Sequence, residues 1–340
     1  MEGRHFLTSV CRISDLESGH FRIEPLAREQ WATADYVAAE VIGEPSDLYR
    51  IELTSGRLVD VMEGDLLIGA FGSRFATLEA TGNWEGIGED GLMHALTGAG
   101  LLGKAGSVAP ALARLIALRY RGHLLRGDQK LNMQDFVQDS GTARFSTPTI
   151  LLVGTSMSSG KTTSGRIIIH ELVRAGLRVA GAKFTGAGRY RDVLSFADAG
   201  ADPIIDFVDA GLPSTVVPRE RFELAMQYML RRLAGSEAHV VVAEAGASPL
   251  EPYNGEAVVK ALGDNVCCIV LGASDPYAVV GVQSAFGIEP DIVTGPTANT
   301  EAGIELIRKL TGLRALNLLQ QSARPALLEI LDRCLPYTLR

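Results

Sequence analysis

Several features that would assign the chain to a familiar class are scarce or missing. The 340 residues contain only four cysteines, Cys11, Cys267, Cys268 and Cys334. None sits in a C-x-x-C pair or near spaced histidines, so the spacing indicates neither a disulfide framework nor a zinc site. Cys267 and Cys268 fall in the apolar run 266–271 and read as buried strand residues. No window offers about 20 uncharged apolar residues, which argues against a membrane-spanning helix. The opening MEGRHFLTSVCRISD has charges on both sides of a very short apolar stretch, unlike a secretory leader. A soluble, cytoplasmic protein with no membrane partner is expected. Long basic runs are missing as well: 32 Lys and Arg face 40 Asp and Glu, a net charge of -8, and nothing in the pattern could track a nucleic-acid backbone. No nucleic-acid partner is expected. The histidines form no triad pattern, and His170 and His239 flank sheet elements as structural residues do.

What is present is apolar content, 46% of residues, enough to bury a sizeable core and to build two domains. The most informative stretch is TILLVGTSMSSGKTT, residues 149–163. A short apolar run breaks into small residues, reaches Gly160-Lys161-Thr162 and continues as a helical pattern. This is the order of a strand, a phosphate loop and a helix. A loop whose backbone N–H groups converge on a polyphosphate has little room for Cβ atoms, and a helix N-terminus adds partial positive charge. The strict GxxxxGK[ST] spacing is not met, because the first glycine, Gly154, lies one residue too early. A Ser/Gly-rich turn before a helix is the bland alternative. The loop reading assigns Thr155, Ser156, Ser158, Ser159, Gly160, Lys161, Thr162 and Thr163 to the nucleotide, with Lys161 reaching its β- and γ-phosphates and Thr162 holding Mg²⁺.

Before this loop, residues from about Tyr49 to Thr81 alternate apolar and polar over short distances and are punctuated by Ser55-Gly56, 63–65 and Gly72, which reads as hairpins. Residues 115–125 and 131–137 read as a further hairpin turning at Gly127-Asp128. Two GxGxxG strings, at Gly86, Gly88 and Gly91 and at Gly98, Gly100 and Gly103, follow no buried strand. They read as loop glycines, with residues 92–97 between them as a short helix or turn. A β-rich N-terminal domain over residues 1–145, a small barrel in form, is expected. A Gly/Ser/Pro stretch at 140–148 marks the boundary.

From residue 146 to 340 the pattern becomes α/β. Apolar strands are expected at 150–153, 178–182, 240–243 and 266–271, separated by helices such as 221–234, where Phe222, Ala225, Met226, Met229, Leu230 and Leu233 share one face as ordinary core. The fold class is therefore α/β, a P-loop parallel sheet with flanking helices, whose ligands bind beyond the carboxyl ends of the strands. At such ends stand two further candidates. Glu244 follows four apolar residues and precedes small ones, placing a carboxylate where Mg²⁺ would sit. Lys183 leaves another strand and is followed by Thr185, Gly186, Arg189 and Arg191, which suit an anionic substrate or a transferring phosphoryl group. Ser248, Glu251 and Asn254 continue the loop after Glu244 toward the substrate. Asp202 reads as a helix cap, and Asp206 as either buried near metal or exposed.

Together these motifs resemble the dethiobiotin-synthetase-like group of P-loop proteins, which carries a Gly-Thr-x5-Gly-Lys-Thr loop, a Lys after the second strand and a Glu-Gly-Ala-Gly-type turn. The matching residues are Gly154-Thr155 with Gly160-Lys161-Thr162, Lys183, and Glu244-Ala245-Gly246-Ala247. The resemblance implies ATP and Mg²⁺, with Lys183 near substrate and transferring phosphate, and on the same resemblance the turn 294–296 and Thr300 near the base. The C-terminal half also resembles an uncharacterised P-loop family that includes D-glutamate N-acetyltransferases, through Glu244 to Ser248 before Pro252 and through Asp206-Phe207-Val208. Ala stands at both places where that family has glycine. Phe184 replaces the proline of the biotin enzyme's Lys-Pro pair, and both resemblances stop at about half of the chain.

The expected function is a Mg-ATP-dependent kinase- or ligase-type enzyme, with Lys161, Lys183 and Glu244 catalytic, that phosphorylates or activates a small anionic, carboxylate-type substrate, as a homodimer. Two alternatives come from other classes: an N-acyltransferase whose loop holds coenzyme A phosphates, and a nucleotide-dependent switch. A metal site at Thr162 and Glu244 favours nucleotide over coenzyme A, since acyl transfer needs no Mg²⁺ bridging phosphates.

Overall fold

The computed structural model describes residues 5–44, 50–246, 248 and 250–339. Tyr49 and Ala247, each part of a sequence reading above, lie outside these residues. The chain forms two compact units. The first comprises Met1–Asp139, Ala187–Arg191 and Phe207–Ala225, the second Ser140–Gly186, Asp192–Asp206 and Met226–Arg340.

The first unit is built on strands. Leu66–Phe71 pairs with Tyr36–Val41, Tyr36–Val41 with Ala117–Arg126, Ala117–Arg126 with Leu92–Ala95, and Leu92–Ala95 with Leu101–Val108, all antiparallel. Leu101–Val108 then returns in parallel to Leu66–Phe71, which closes a five-stranded barrel. Closure leaves no open edge among these five strands. The side chains inside follow the two-residue period of a strand: Val37, Ala39 and Val41, Leu67 and Phe71, Met93 and Ala95 all belong to one buried cluster. The turn at Gly127-Asp128 is present, with Leu125 opposite Lys130.

Two sequence readings are corrected here. Residues 92–97 do not form a helix or turn, because Leu92–Ala95 is a barrel strand hydrogen-bonded on both sides. Its second GxGxxG string is accordingly a hairpin, with Gly103 inside a strand. Residues 131–137 contain the 3-10 turn Met133–Phe136, since Asn132 accepts from the N–H of Gln134 and diverts the chain from an extended path.

The second unit is α/β. From residue 149 onward the elements in chain order are β1 (Thr149–Gly154), α1 (Lys161–Arg174), β2 (Val179–Thr185), α2 (Tyr190–Asp198, its first two residues in the first unit), β3 (Ile204–Asp206), α3 (Arg219–Ala234, its first seven residues in the first unit), β4 (Val240–Ala245), α4 (Gly255–Leu262), β5 (Val266–Gly272), α5 (Pro276–Phe286), β6 (Ile292–Thr294), α6 (Glu301–Thr311) and α7 (Arg324–Cys334). The strands lie side by side in the order β3-β2-β4-β1-β5-β6, all parallel, and helices flank the sheet. β1, β2 and β4 are buried along their whole length, as expected for a sheet covered on both faces. Ile150 and Leu152 of β1 pack in one cluster with Ile168, Ile169 and Leu172 of α1 and with Leu327, Ile330 and Leu331 of α7. In α3, Phe222, Ala225, Met226, Met229 and Leu233 are buried and Leu230 is half-buried, which is the stripe read from the sequence.

Asp202 caps no helix. It is exposed and leads into β3 instead, its N–H donating to the Val179 carbonyl.

Candidate functional site

β1 leaves the sheet at Gly154 and α1 begins at Lys161, so the intervening loop sits at the carboxyl end of a central strand. Gly154 is required by close approach: a Cβ there would lie 2.4 Å from Ser159 Oγ and 2.6 Å from Lys161 Nζ. The room it leaves is filled by the Lys161 stem, and this side chain is only 2% exposed. Its ammonium donates to the Ser156 carbonyl at 2.6 Å and to Ser159 Oγ at 3.3 Å. Burial pushes the Lys161 amine below its ordinary lysine value; the Glu244 carboxylate opposes that and Lys183 reinforces it.

The other loop residues divide by role. Thr155 Oγ1 accepts from the Ser274 N–H at 3.1 Å, and the Thr155 N–H donates to the Gly272 carbonyl, tying the loop to the end of β5. Ser159 is fully buried and donates to the Ser156 carbonyl at 3.0 Å, while Ser156 is itself buried. Ser158 and Thr163 are exposed. The first N–H groups of α1 have no acceptor within the helix by its geometry, and so can serve an anion. The turn at Gly295, read as a contact for a base, lies against this loop. Its φ of 90° and ψ of -165° suit glycine almost alone, and a Cβ would come within 2.2 Å of the Ser159 carbonyl oxygen. Thr300 caps α6 by accepting from the Gly303 N–H.

Beside the loop, β4 runs next to β1 in register, Leu152 opposite Glu244. This brings Glu244 to the first turn of α1, where Thr162 Oγ1 donates to Glu244 Oε2 at 2.7 Å. A hydroxyl and a carboxylate in contact are the oxygen donors that Mg²⁺ prefers, and their separation is close to the edge of its coordination octahedron, about 2.9 Å for metal–oxygen distances of 2.0–2.1 Å. These two residues fit the metal read from the sequence.

On the far side of β4, Lys183 of β2 stands in register with Glu244, and Asp206 of β3 in register with Lys183. Neighbours in a parallel register share a sheet face, so one cation lies between two carboxylates. Lys183 also forms an ion pair with Asp192 in the first turn of α2. Burial lowers the Lys183 pKa, but Asp192, Glu244 and Asp206 outweigh it and the amine is held above its ordinary value. Asp206 is thus the buried alternative of the two weighed for it, 1% exposed.

The structure therefore brings Lys161, Thr162, Lys183 and Glu244 into one cluster. Other candidates lie differently. Thr185 is fully buried, and its hydroxyl donates to the Gly246 carbonyl at 3.0 Å as a strut between strand ends. Gly186 follows it, buried, at the end of β2. Arg189 and Arg191 are exposed and belong to the barrel unit. There the N–H groups of Tyr190 and Arg191 donate to the Glu52 carboxylate at 2.8 and 2.9 Å, and Ser9 Oγ donates to it at 2.5 Å. Ser248 closes its own turn: its N–H donates to Glu251, and its hydroxyl accepts from the Leu250 N–H. His239 accepts from the Arg178 N–H and His170 contacts Glu171, both structural contacts.

Neither the role of Asp192 beside Lys183 nor the structural contacts of Glu52 were legible in the sequence. Asp192 was visible only as the end of a basic loop, and Glu52 sits in a two-residue strand more than 130 positions from Tyr190 and Arg191, whose N–H groups it accepts within the same unit.

No family model matches the chain, and no curated protein matches it. Among solved structures the chain is similar to chloroplast FtsY from Physcomitrella patens, at 16% identity and a TM-score of 0.36, over 54% of this chain and 62% of that one. It is also similar to a DUF1611 family protein from Anabaena variabilis, at 16% identity and a TM-score of 0.38, over 57% and 61%. A third is the signal recognition particle 54 kDa protein from Aeropyrum pernix in complex with GDP, at 21% identity and a TM-score of 0.37, over 61% and 52%. The chain covers less than two thirds of each of these structures. At such scores the likeness adds no weight to the site geometry.

Proposed function

We propose that this chain is a P-loop enzyme that binds a nucleoside triphosphate with Mg²⁺, ATP by its motif resemblance, and transfers or activates through its γ-phosphoryl group toward a small anionic substrate of carboxylate type. The observation that carries this reading is the 2.7 Å contact between Thr162 and Glu244 at the mouth of the loop that encloses Lys161. Thr162 and Glu244 would hold the metal, which neutralises charge on the phosphates when bound. Lys161 has its ammonium inside the loop and would trade loop carbonyls for phosphate oxygens. Lys183, beyond Glu244, would stabilise charge developing on the transferred group. The dethiobiotin-synthetase-like assignment and the choice of ATP rest on motif resemblance alone.

A second reading, a nucleotide-dependent switch, is favoured by one contact. Lys183 is already paired with Asp192 of α2, so a phosphate that drew Lys183 away would release the first turn of that helix. The test is a thermal-shift panel of ATP, GTP and coenzyme A, each with and without Mg²⁺, followed by turnover assays on Lys161→Ala and Lys183→Ala. Stabilisation by a triphosphate that grows with Mg²⁺ is expected, with Lys161→Ala losing binding and turnover and Lys183→Ala losing turnover far more than binding. Metal-independent stabilisation by coenzyme A alone would refute the enzyme reading. Equal small losses in both variants would refute the lysine roles.

A further inference from the structure

Cysteine spacing along the chain offers no metal motif, yet folding brings three donors together at the other half of the sheet. Cys268 lies in β5, Asp291 immediately before β6, and Cys334 at the last position of α7. Their two sulfurs and a carboxylate oxygen all lie within 4.8 Å of one another. Cys268 is 1% exposed, Cys334 half-buried and Asp291 exposed, so the cluster reaches from the core to the surface. Asp291 is held in place from both sides: its N–H donates to the Ile269 carbonyl, and its carboxylate accepts from the Ile269 N–H at 2.8 Å. Cys268 pairs with Ile150 at one end of β1, whereas Gly272 pairs with Gly154 at the phosphate-loop end, four residues or roughly 13 Å along the strands. The cluster is separate from the site described above.

From this convergence we infer that Cys268, Cys334 and Asp291 form a binding site for a thiophilic divalent cation of the zinc class. Two sulfurs and one carboxylate suit such an ion, and three protein ligands leave a fourth tetrahedral position for water at the exposed side. The carboxylate decides between a metal and a redox thiol pair. A redox pair needs only the two sulfurs, whereas a divalent cation makes all three donors favourable together, the carboxylate included. Bound there, it would staple α7 to the sheet through the end of that helix. Cys267 supplies an internal control: its thiol donates to the Thr149 carbonyl, and it is outside the three-donor group.

The reduced, metal-free full chain is titrated with Co²⁺, and sulfur-to-cobalt charge-transfer absorption is followed. One equivalent should saturate the band, Zn²⁺ should abolish it by displacement, and Zn²⁺ should raise Tm. Cys334→Ser should remove the band, Asp291→Asn should weaken cobalt affinity tenfold or more, and Cys267→Ser should leave both unchanged. The wild-type titration decides the matter even where a variant fails to fold. Absence of the band in folded wild type, its survival in Cys334→Ser, or air oxidation of the pair to a disulfide without metal uptake in the reduced protein would overturn the site.

Discussion

Replacing Glu244 by glutamine keeps the shape of a buried side chain and removes its charge, which separates a metal ligand from a structural acid. Glu244 is 3% exposed and accepts from Thr162 at 2.7 Å. A hydrogen bond to a charged acceptor contributes about 1.5–3 kcal/mol and a neutral one about 0.5–1.5, so the exchange alone costs about 1 kcal/mol. Lys183 loses one of its facing carboxylates but retains Asp192 and Asp206. The expected total is about 1–2 kcal/mol, a fall in Tm of roughly 2–8 °C for units of this size. With ligand, the effect should be larger and selective. A triphosphate at a hundred times its Kd stabilises the wild type by about 2.7 kcal/mol. An amide oxygen is a poor Mg²⁺ ligand, so the metal-dependent part of nucleotide affinity should fall at least about tenfold, or 1.4 kcal/mol. Calorimetric titration of nucleotide into both proteins, with and without Mg²⁺, reads this directly. An equal Mg²⁺ increment in the two proteins would refute the metal assignment. Loss of the metal-free affinity to the same degree would show that Glu244 shapes the loop instead.

Three further outcomes are expected. Asp192→Asn should lower stability by about 2–3 kcal/mol in urea unfolding, less than the 3–5 typical of a broken buried pair, because Glu244 and Asp206 still face Lys183; a loss under 0.5 kcal/mol would show that the pair is not formed in solution. Gly295→Ala should cost at least about 2 kcal/mol and weaken nucleotide binding, since its backbone conformation is nearly closed to other residues and the added Cβ meets a backbone carbonyl that cannot rotate away; wild-type affinity and Tm would contradict this. The pH dependence of stability should carry the sign of Lys161. Burial holds its folded pKa below the ordinary lysine value of 10.5, so between the two values the unfolded chain binds more protons and stability rises with pH. Lys161→Met should remove that rise in urea midpoints measured from neutrality to about 10.5, whereas the raised Lys183 contributes fully below that pH and loses its stabilisation only above it. An unchanged slope in Lys161→Met would refute the depressed amine.

The stretch from Thr149 to Thr163 determined its own local structure, because a run of apolar residues, a set of small ones and a following helical period each act over a few positions. The same holds for β4, where four apolar residues announce a buried strand and Glu244 its end, and for the stripe of α3. Barrel elements were less legible. Leu92–Ala95 has only four residues, and its strand state depends on hydrogen bonds to Ala117–Arg126 and Leu101–Val108 on either side. Asn132 turned an expected strand into a 3-10 turn through one side-chain acceptor. Tertiary structure alone decided which charges meet. Lys183 and Glu244 are 61 positions apart in sequence, yet strand order and register set them side by side, and neither quantity is written in any local pattern. Cys268, Asp291 and Cys334 make the same point across three elements. Short-range propensity acts between neighbours in the chain, whereas a site is made by the packing that brings distant side chains into contact.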